Sequence, residues 1–115
     1  MSGTLQFIIM VDGAVGEADL LQSVLGRFPD AVGRKAHSCD VGGNWLEIWH
    51  NDDADADLAR DDEDGYLYYR WRVELTPMSD GLDEDHQVRL ARGLLAAFEA
   101  VGGRPVVLAN FENRV

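Results

Sequence analysis

The sequence is short of several things, and each shortage removes a class of function. It holds one cysteine, Cys39, so no internal disulfide can form and no metal site built from several thiolates can exist. A reducing, cytoplasmic compartment is the expected setting. Basic residues are scarce: 10 Lys and Arg stand against 21 Asp and Glu, a formal net charge of −11. That balance disfavours contact with a nucleic-acid backbone or an anionic membrane surface. No stretch approaches the roughly 20 apolar residues that a membrane-spanning helix needs. The opening "MSGTLQFIIMVDG" has no basic leader and no small-residue cleavage pattern, so it reads as neither signal peptide nor anchor. His37, His50 and His86 fall in different segments with no ligand spacing between them. Catalytic signatures are missing too. There is no Gly-x-Ser-x-Gly, no His-Glu-x-x-His and no paired cysteine motif, and Gly13-x-x-Gly16 lacks the lysine of a phosphate loop. Glu17 and Asp19 stand where phosphate would bind. The expectation is a protein without a cofactor, acting by binding more than by catalysis.

What is present is enough for one core. With 115 residues and 46% hydrophobic content the chain fits a single domain, 1–115. "LQFIIMV" at 5–11 is β-rich and nearly continuous in apolar residues, as in a strand buried in mid-sheet. From Glu17 to Phe28, Leu21, Val24, Leu25 and Phe28 recur at helical spacing, with acids at the start where the helix dipole favours them. "RKAHSCDV" at 34–41 is polar enough for an edge strand, Gly42-Gly43 permits a tight reversal, and "NWLEIWH" at 44–50 returns. "YLYYRWRVELTP" at 66–77 alternates throughout: Leu67, Tyr69, Trp71, Val73 and Leu75 on the core side, Tyr66, Tyr68, Arg70, Arg72, Glu74 and Thr76 on the other. A second helix carries the stripe Val88, Ala91, Leu95 and Phe98 after an acidic start, and "VVLANFE" at 106–112 is the last strand.

The expected fold class is therefore α+β: a mainly antiparallel sheet with two helices packed on one face, in the order β-α-β-β-β-α-β. In element order this resembles the ferredoxin-like plan or a variant of it. That plan hosts many unrelated functions, so the resemblance implies a fold and nothing about activity.

"HNDDADADLARDDEDG", residues 50–65, carries eight acids and one arginine, −7 of the chain's −11. As a calcium loop it matches only in part. Asp53, Asp55 and Asp57 fit the first ligand positions, but Leu58 stands where a sharp-turn glycine is needed and Asp64 where a longer glutamate belongs. His50, Asp52, Asp53, Asp55 and Asp57 remain as weak metal candidates, for loose divalent-cation binding. The segment 51–65 otherwise reads as a flexible acidic loop, solvated or serving as a docking surface in which Asp61, Asp62, Glu63 and Asp64 meet a basic protein. Beside it, if Leu46 and Ile48 face the core, Trp45, Glu47 and Trp49 share a face with Tyr66, Tyr68, Arg70 and Arg72. Trp, Tyr and Arg are enriched in binding hot spots. An uncovered face of this kind suits a basic partner, or two copies pairing through their sheets.

Two functional classes remain. One is a non-enzymatic acidic binding protein, an immunity or inhibitor-type partner of a basic protein; size and acidity resemble those of small cytoplasmic immunity proteins, with no motif to transfer. The other is a small-ligand domain or small enzyme with a pocket between sheet and helices, where Trp71, Tyr69 and His37 would project.

Overall fold

The computed structural model describes residues 5–61 and 63–115. Six strands and two helices follow one another as β1 (Phe7–Asp12), α1 (Glu17–Arg27), β2 (Val32–Lys35), β3 (Ser38–Val41), β4 (Asn44–His50), β5 (Trp71–Pro77), α2 (Glu84–Ala100) and β6 (Arg104–Leu108). The strands form one open sheet in the spatial order β2-β3-β4-β5-β1-β6, and every neighbouring pair is antiparallel. β1 therefore runs parallel to β4 with β5 between them, and β5 parallel to β6 with β1 between them. Each of these split pairs is bridged by a helix.

Period-two alternation decides which face each side chain takes. Phe7, Ile9 and Val11 of β1, Leu46 and Ile48 of β4, and Val73 and Leu75 of β5 are buried against Leu20, Leu21 and Val24 of α1 and Val88, Ala91, Leu94 and Phe98 of α2. The helices are bounded by polar chemistry that the sequence advertises. Asp19 Oδ2 accepts from the Gly16 N–H (3.1 Å) at the start of α1, and Asp83 Oδ1 accepts from the His86 N–H (2.8 Å) at the start of α2. One polar pair lies inside the core: Asn44 and Gln87 exchange amide hydrogen bonds of 3.0 and 2.8 Å. The same amides reach the carbonyls of Gly42 (3.0 Å) and Leu5 (2.9 Å), tying α2 to β4 and to the approach to β1. Among the described residues no helix is long and apolar enough to cross a membrane.

The α+β class and the two helices on one face agree with expectation, but the order gains a strand. Residues 34–41 do not form one edge strand. The chain turns at Ala36-His37, so that β2 and β3 pair with each other through Val32↔Asp40, Gly33↔Cys39 and Lys35↔Ser38. No glycine marks that reversal; the Ser38 hydroxyl accepts from the Lys35 N–H and helps close it. The Gly42-Gly43 reversal is as expected. Both glycines take positive φ (54° and 75°), as a two-residue hairpin requires. The second departure lies at 66–70. β5 starts only at Trp71, and Gly65–Tyr68 form a 3-10 turn instead of extending the strand. Gly65 explains part of this, because a Cβ there would come within 2.5 Å of the Ala59 carbonyl oxygen. The backbone at 65 must pass close to 59, which bends the chain away from the sheet line.

Candidate functional site

With Leu46 and Ile48 at 0% and 1% exposure, alternation sends Trp45, Glu47 and Trp49 to the face of the sheet that carries no helix. Arg72 and Glu74 of β5 join them, as Trp49 pairs with Arg72 and Glu47 with Glu74. Ile8 and Met10 of β1 lie on the same face, with Ile8 opposite both Glu74 and Leu108. Three open grooves of about 480, 420 and 500 Å³ run over this surface, and Arg72 lines all three. The first is floored by Ile8 and Leu108, the second by Ile8 and Met10 against Leu67 and Tyr68, and the third lies between Trp49 and Asp52-Asp53.

The charges on this face are mostly closed into pairs. The strands contain four carboxylates, Asp12, Asp40, Glu47 and Glu74. Arg104 binds Asp12 at 2.8 Å, Arg72 binds Glu74 at 2.9 Å, and Arg34 holds Asp40 with Nε at 2.8 Å. The hydrogen bond from Arg34, with the charge of Asp40 behind it, raises the guanidinium pKa above its ordinary value. Both Arg34 contacts fall on Asp40 Oδ2, and the buried Oδ1 has no donor. Glu47 differs from the other three, for among the described residues its carboxylate makes no hydrogen bond and no ion pair. It stands half-buried between the two tryptophans of its own strand.

The aromatic groups near it are anchored unequally. Trp49 is 44% exposed and leans on His37, ring centroids 5.3 Å apart. Trp71 turns the other way. Its indole N–H donates to the Val15 carbonyl (2.8 Å) and its ring meets His50 edge-on at 5.6 Å. Tyr69 sits beneath the Arg104 guanidinium at 6.0 Å. Trp71, Tyr69 and His37 thus take separate neighbours and do not converge on a pocket between sheet and helices. Cys39 lies buried on the helix side, where loss of water, and secondarily the charge of Asp40, push its thiol up to about 11. A thiol held protonated is a poor nucleophile.

The acidic segment borders the exposed face. Asn51 organises its base: the backbone N–H donates to Arg70 O (2.9 Å), and the side-chain amide donates to Leu67 O (2.9 Å) and Tyr69 O (2.8 Å). Its oxygen accepts from Asp53 N. Asp55 Oδ1 then accepts from the N–H groups of Asp57 and Leu58, at the start of a 3-10 turn over Leu58–Arg60. Asp61 Oδ1 likewise accepts from those of Glu63 and Asp64, before the turn over Gly65–Tyr68. These two backbone donors hold the Asp61 carboxyl below the usual carboxylate range. Two of the segment's eight acids, Asp55 and Asp61, therefore have a local role, since short-chain carboxylates satisfy turn N–H groups that have no helical partner. Among the described residues the only ion pair in the segment is Arg60–Asp57 at 3.8 Å, with both side chains exposed. Asp62 lies outside the described residues.

Several residues singled out from sequence fall elsewhere than expected. Tyr66, Tyr68 and Arg70 do not continue the strand beside Trp45, because 65–68 form the turn and Arg70 is exposed just before β5. Tyr68 still reaches the open face from the loop side, where it lines the groove over Ile8 and Met10. Leu67, expected in the core, is 47% exposed. Among the described residues no group of three or more His, Cys, Asp or Glu is placed to hold a metal ion. His50, Asp52, Asp53, Asp55 and Asp57 are thus strung along the chain and not gathered, and Asp55 spends one oxygen on the backbone. Sequence reasoning overlooked Asn51, Ile8, Met10 and Leu108. For Asn51 the signal was a residue suited to turns directly at a strand exit. No family model matches the chain, and no curated protein or solved structure is significantly similar to it.

Proposed function

We propose that this chain is a non-enzymatic binding protein of the immunity or inhibitor type, and that it docks a basic protein partner through the open sheet face and the bordering segment 51–64. The observation that carries this reading is the segment's excess of acids, answered among the described residues by a single ion pair between exposed side chains, at the rim of a face holding Trp45, Trp49 and Arg72. Dense charge of one sign speeds encounter with an oppositely charged surface, and exposed tryptophans supply contact area once encounter has occurred. In fold terms we take the core β6-β1-β5-β4 with both helices on one side to be a ferredoxin-like plan, extended at one edge by the β2–β3 hairpin. A cytoplasmic site of action belongs to the same proposal.

The test uses a fluorescently labelled, short peptide rich in Arg and Lys, with binding followed by anisotropy at low and high salt. Neutralising the segment as D61N/E63Q/D64N is expected to weaken binding several-fold and flatten its salt dependence. The control D30N/D80N/E99Q changes net charge by the same amount at exposed sites elsewhere and is expected to bind like the native chain. Equal weakening by both variants would reduce the effect to net charge and overturn the reading.

A further inference from the structure

Glu47 stands out by a comparison within the sheet. Of the four strand carboxylates on the open face, Asp12, Asp40 and Glu74 are each held by an arginine of this chain. Glu47 has none. It is also the one placed worst for an isolated charge. Its cross-strand partner is Glu74, so two like charges sit directly opposite each other, about 5 Å apart at Cα. Arg72, opposite Trp49 on the neighbouring strand, is bound to Glu74 through Nε. On β4 itself Trp45 precedes Glu47 by two residues and Trp49 follows it by two, so both indoles flank the carboxylate on one face, each roughly 6.5 Å along the strand.

A carboxylate between two tryptophans has a well-defined complement. Arginine presents a planar guanidinium that can hydrogen-bond a carboxylate with two N–H groups while its faces lie against aromatic rings. A lysine ammonium offers charge without the planar fork. We propose that Glu47, with Trp45 and Trp49, is the receptor for one arginine side chain of the basic partner, completing on this face the arginine–carboxylate pairing that the chain itself makes three times. The inference rests on the docking function above and names the contact at its centre. Arg72–Glu74 remains as it is and already offsets the charge of Glu74; the incoming guanidinium offsets that of Glu47, which among the described residues has no cation of its own.

The experiment titrates Nα-acetyl-arginine amide into the full chain and follows the indole N–H signals by NMR, assigned with W45F and W49F. The signals of Trp45 and Trp49 should shift saturably, while that of Trp71, already bonded to Val15, should stay in place. Glu47→Gln should bind about ten-fold more weakly, and Nα-acetyl-lysine amide should give smaller shifts than the arginine probe. Equal shifts in Glu47→Gln and the native chain would overturn the proposal, and so would shifts confined to residues 51–64. The labelled basic peptide separates this failure from failure of the wider reading. If D61N/E63Q/D64N weakens the peptide and Glu47→Gln does not, docking stands and the arginine site falls; if neither variant weakens it, both fall. Trp49→Ala is the second variant, expected to match Glu47→Gln. A concentration-dependent dimer in sedimentation that disappears in Glu47→Gln would assign the site to an arginine of a second copy and overturn the basic partner as its occupant.

Discussion

The two faces of the sheet treat polar groups in opposite ways. On the helix-covered face the amides of Asn44 and Gln87 are fully buried and closed, each giving and receiving, with the backbone taking up the remaining donors. On the open face the strand carboxylates belong to partly exposed residues, and among the described residues three are paired with arginine and Glu47 is not. The difference follows from access to water. An unsatisfied group costs a few kcal/mol where water is excluded and little where a solvent molecule can replace the partner. Only the open face can therefore keep an unpaired carboxylate in the resting protein, and only there is a partner able to reach it.

This contrast can be broken or sharpened by substitution. The largest effect is expected from Phe98→Ala, which removes a fully buried ring from the helix side and should cost about 3–5 kcal/mol in urea unfolding. Its counterpart on the other face, Trp49→Ala, gives up mainly the contact with His37 and should cost about 1 kcal/mol or less. Comparable losses would mean that the open face is as much a core as the covered one. Next comes Gln87→Ala, which leaves the buried Asn44 amide without its side-chain partner, removes the bond to the Leu5 carbonyl and should cost about 2–3 kcal/mol by the same measurement. The smallest effect belongs to Cys39. Its folded pKa lies near 11, above the value of about 8.5 for an unfolded thiol. The raised value favours the folded state fully below the unfolded pKa, and that contribution is lost as pH rises from there through about 11. Native protein at pH 8 should resist alkylation by iodoacetamide and become reactive on unfolding; rapid native labelling would show that water reaches the covered face.

Much of the covered face was legible from sequence because one rule, apolar periodicity, governs it. Leu46 and Ile48 set the phase of β4, and Val88, Ala91 and Phe98 mark the buried stripe of α2. The failures came where that rule is mimicked or silent. Tyr66 to Thr76 alternates without interruption, yet Gly65 packing on Ala59 and the Asn51 amide on Leu67 and Tyr69 hold the first half in a turn. The β2–β3 reversal at Ala36-His37 contains no residue that announces a turn. The candidate site was half legible. The shared direction of Trp45, Glu47 and Trp49 follows from Leu46 and Ile48, but the isolation of Glu47 depends on the register of β4 against β5 and on which arginines meet Asp12, Asp40 and Glu74. Those are facts of long-range pairing that one strand's pattern does not contain.

The position of β1 has a consequence in time. It is synthesised before both its neighbours, β5 and β6, which follow it at a long distance along the chain. Its apolar run must wait as the ribosome proceeds, first for Trp71–Pro77 and then for Arg104–Leu108. Pairings so distant in sequence carry a large loop-closure cost and slow the final step of folding. Until then "FIIMV" is an unpaired, uncharged strand, open during synthesis to association with other nascent chains.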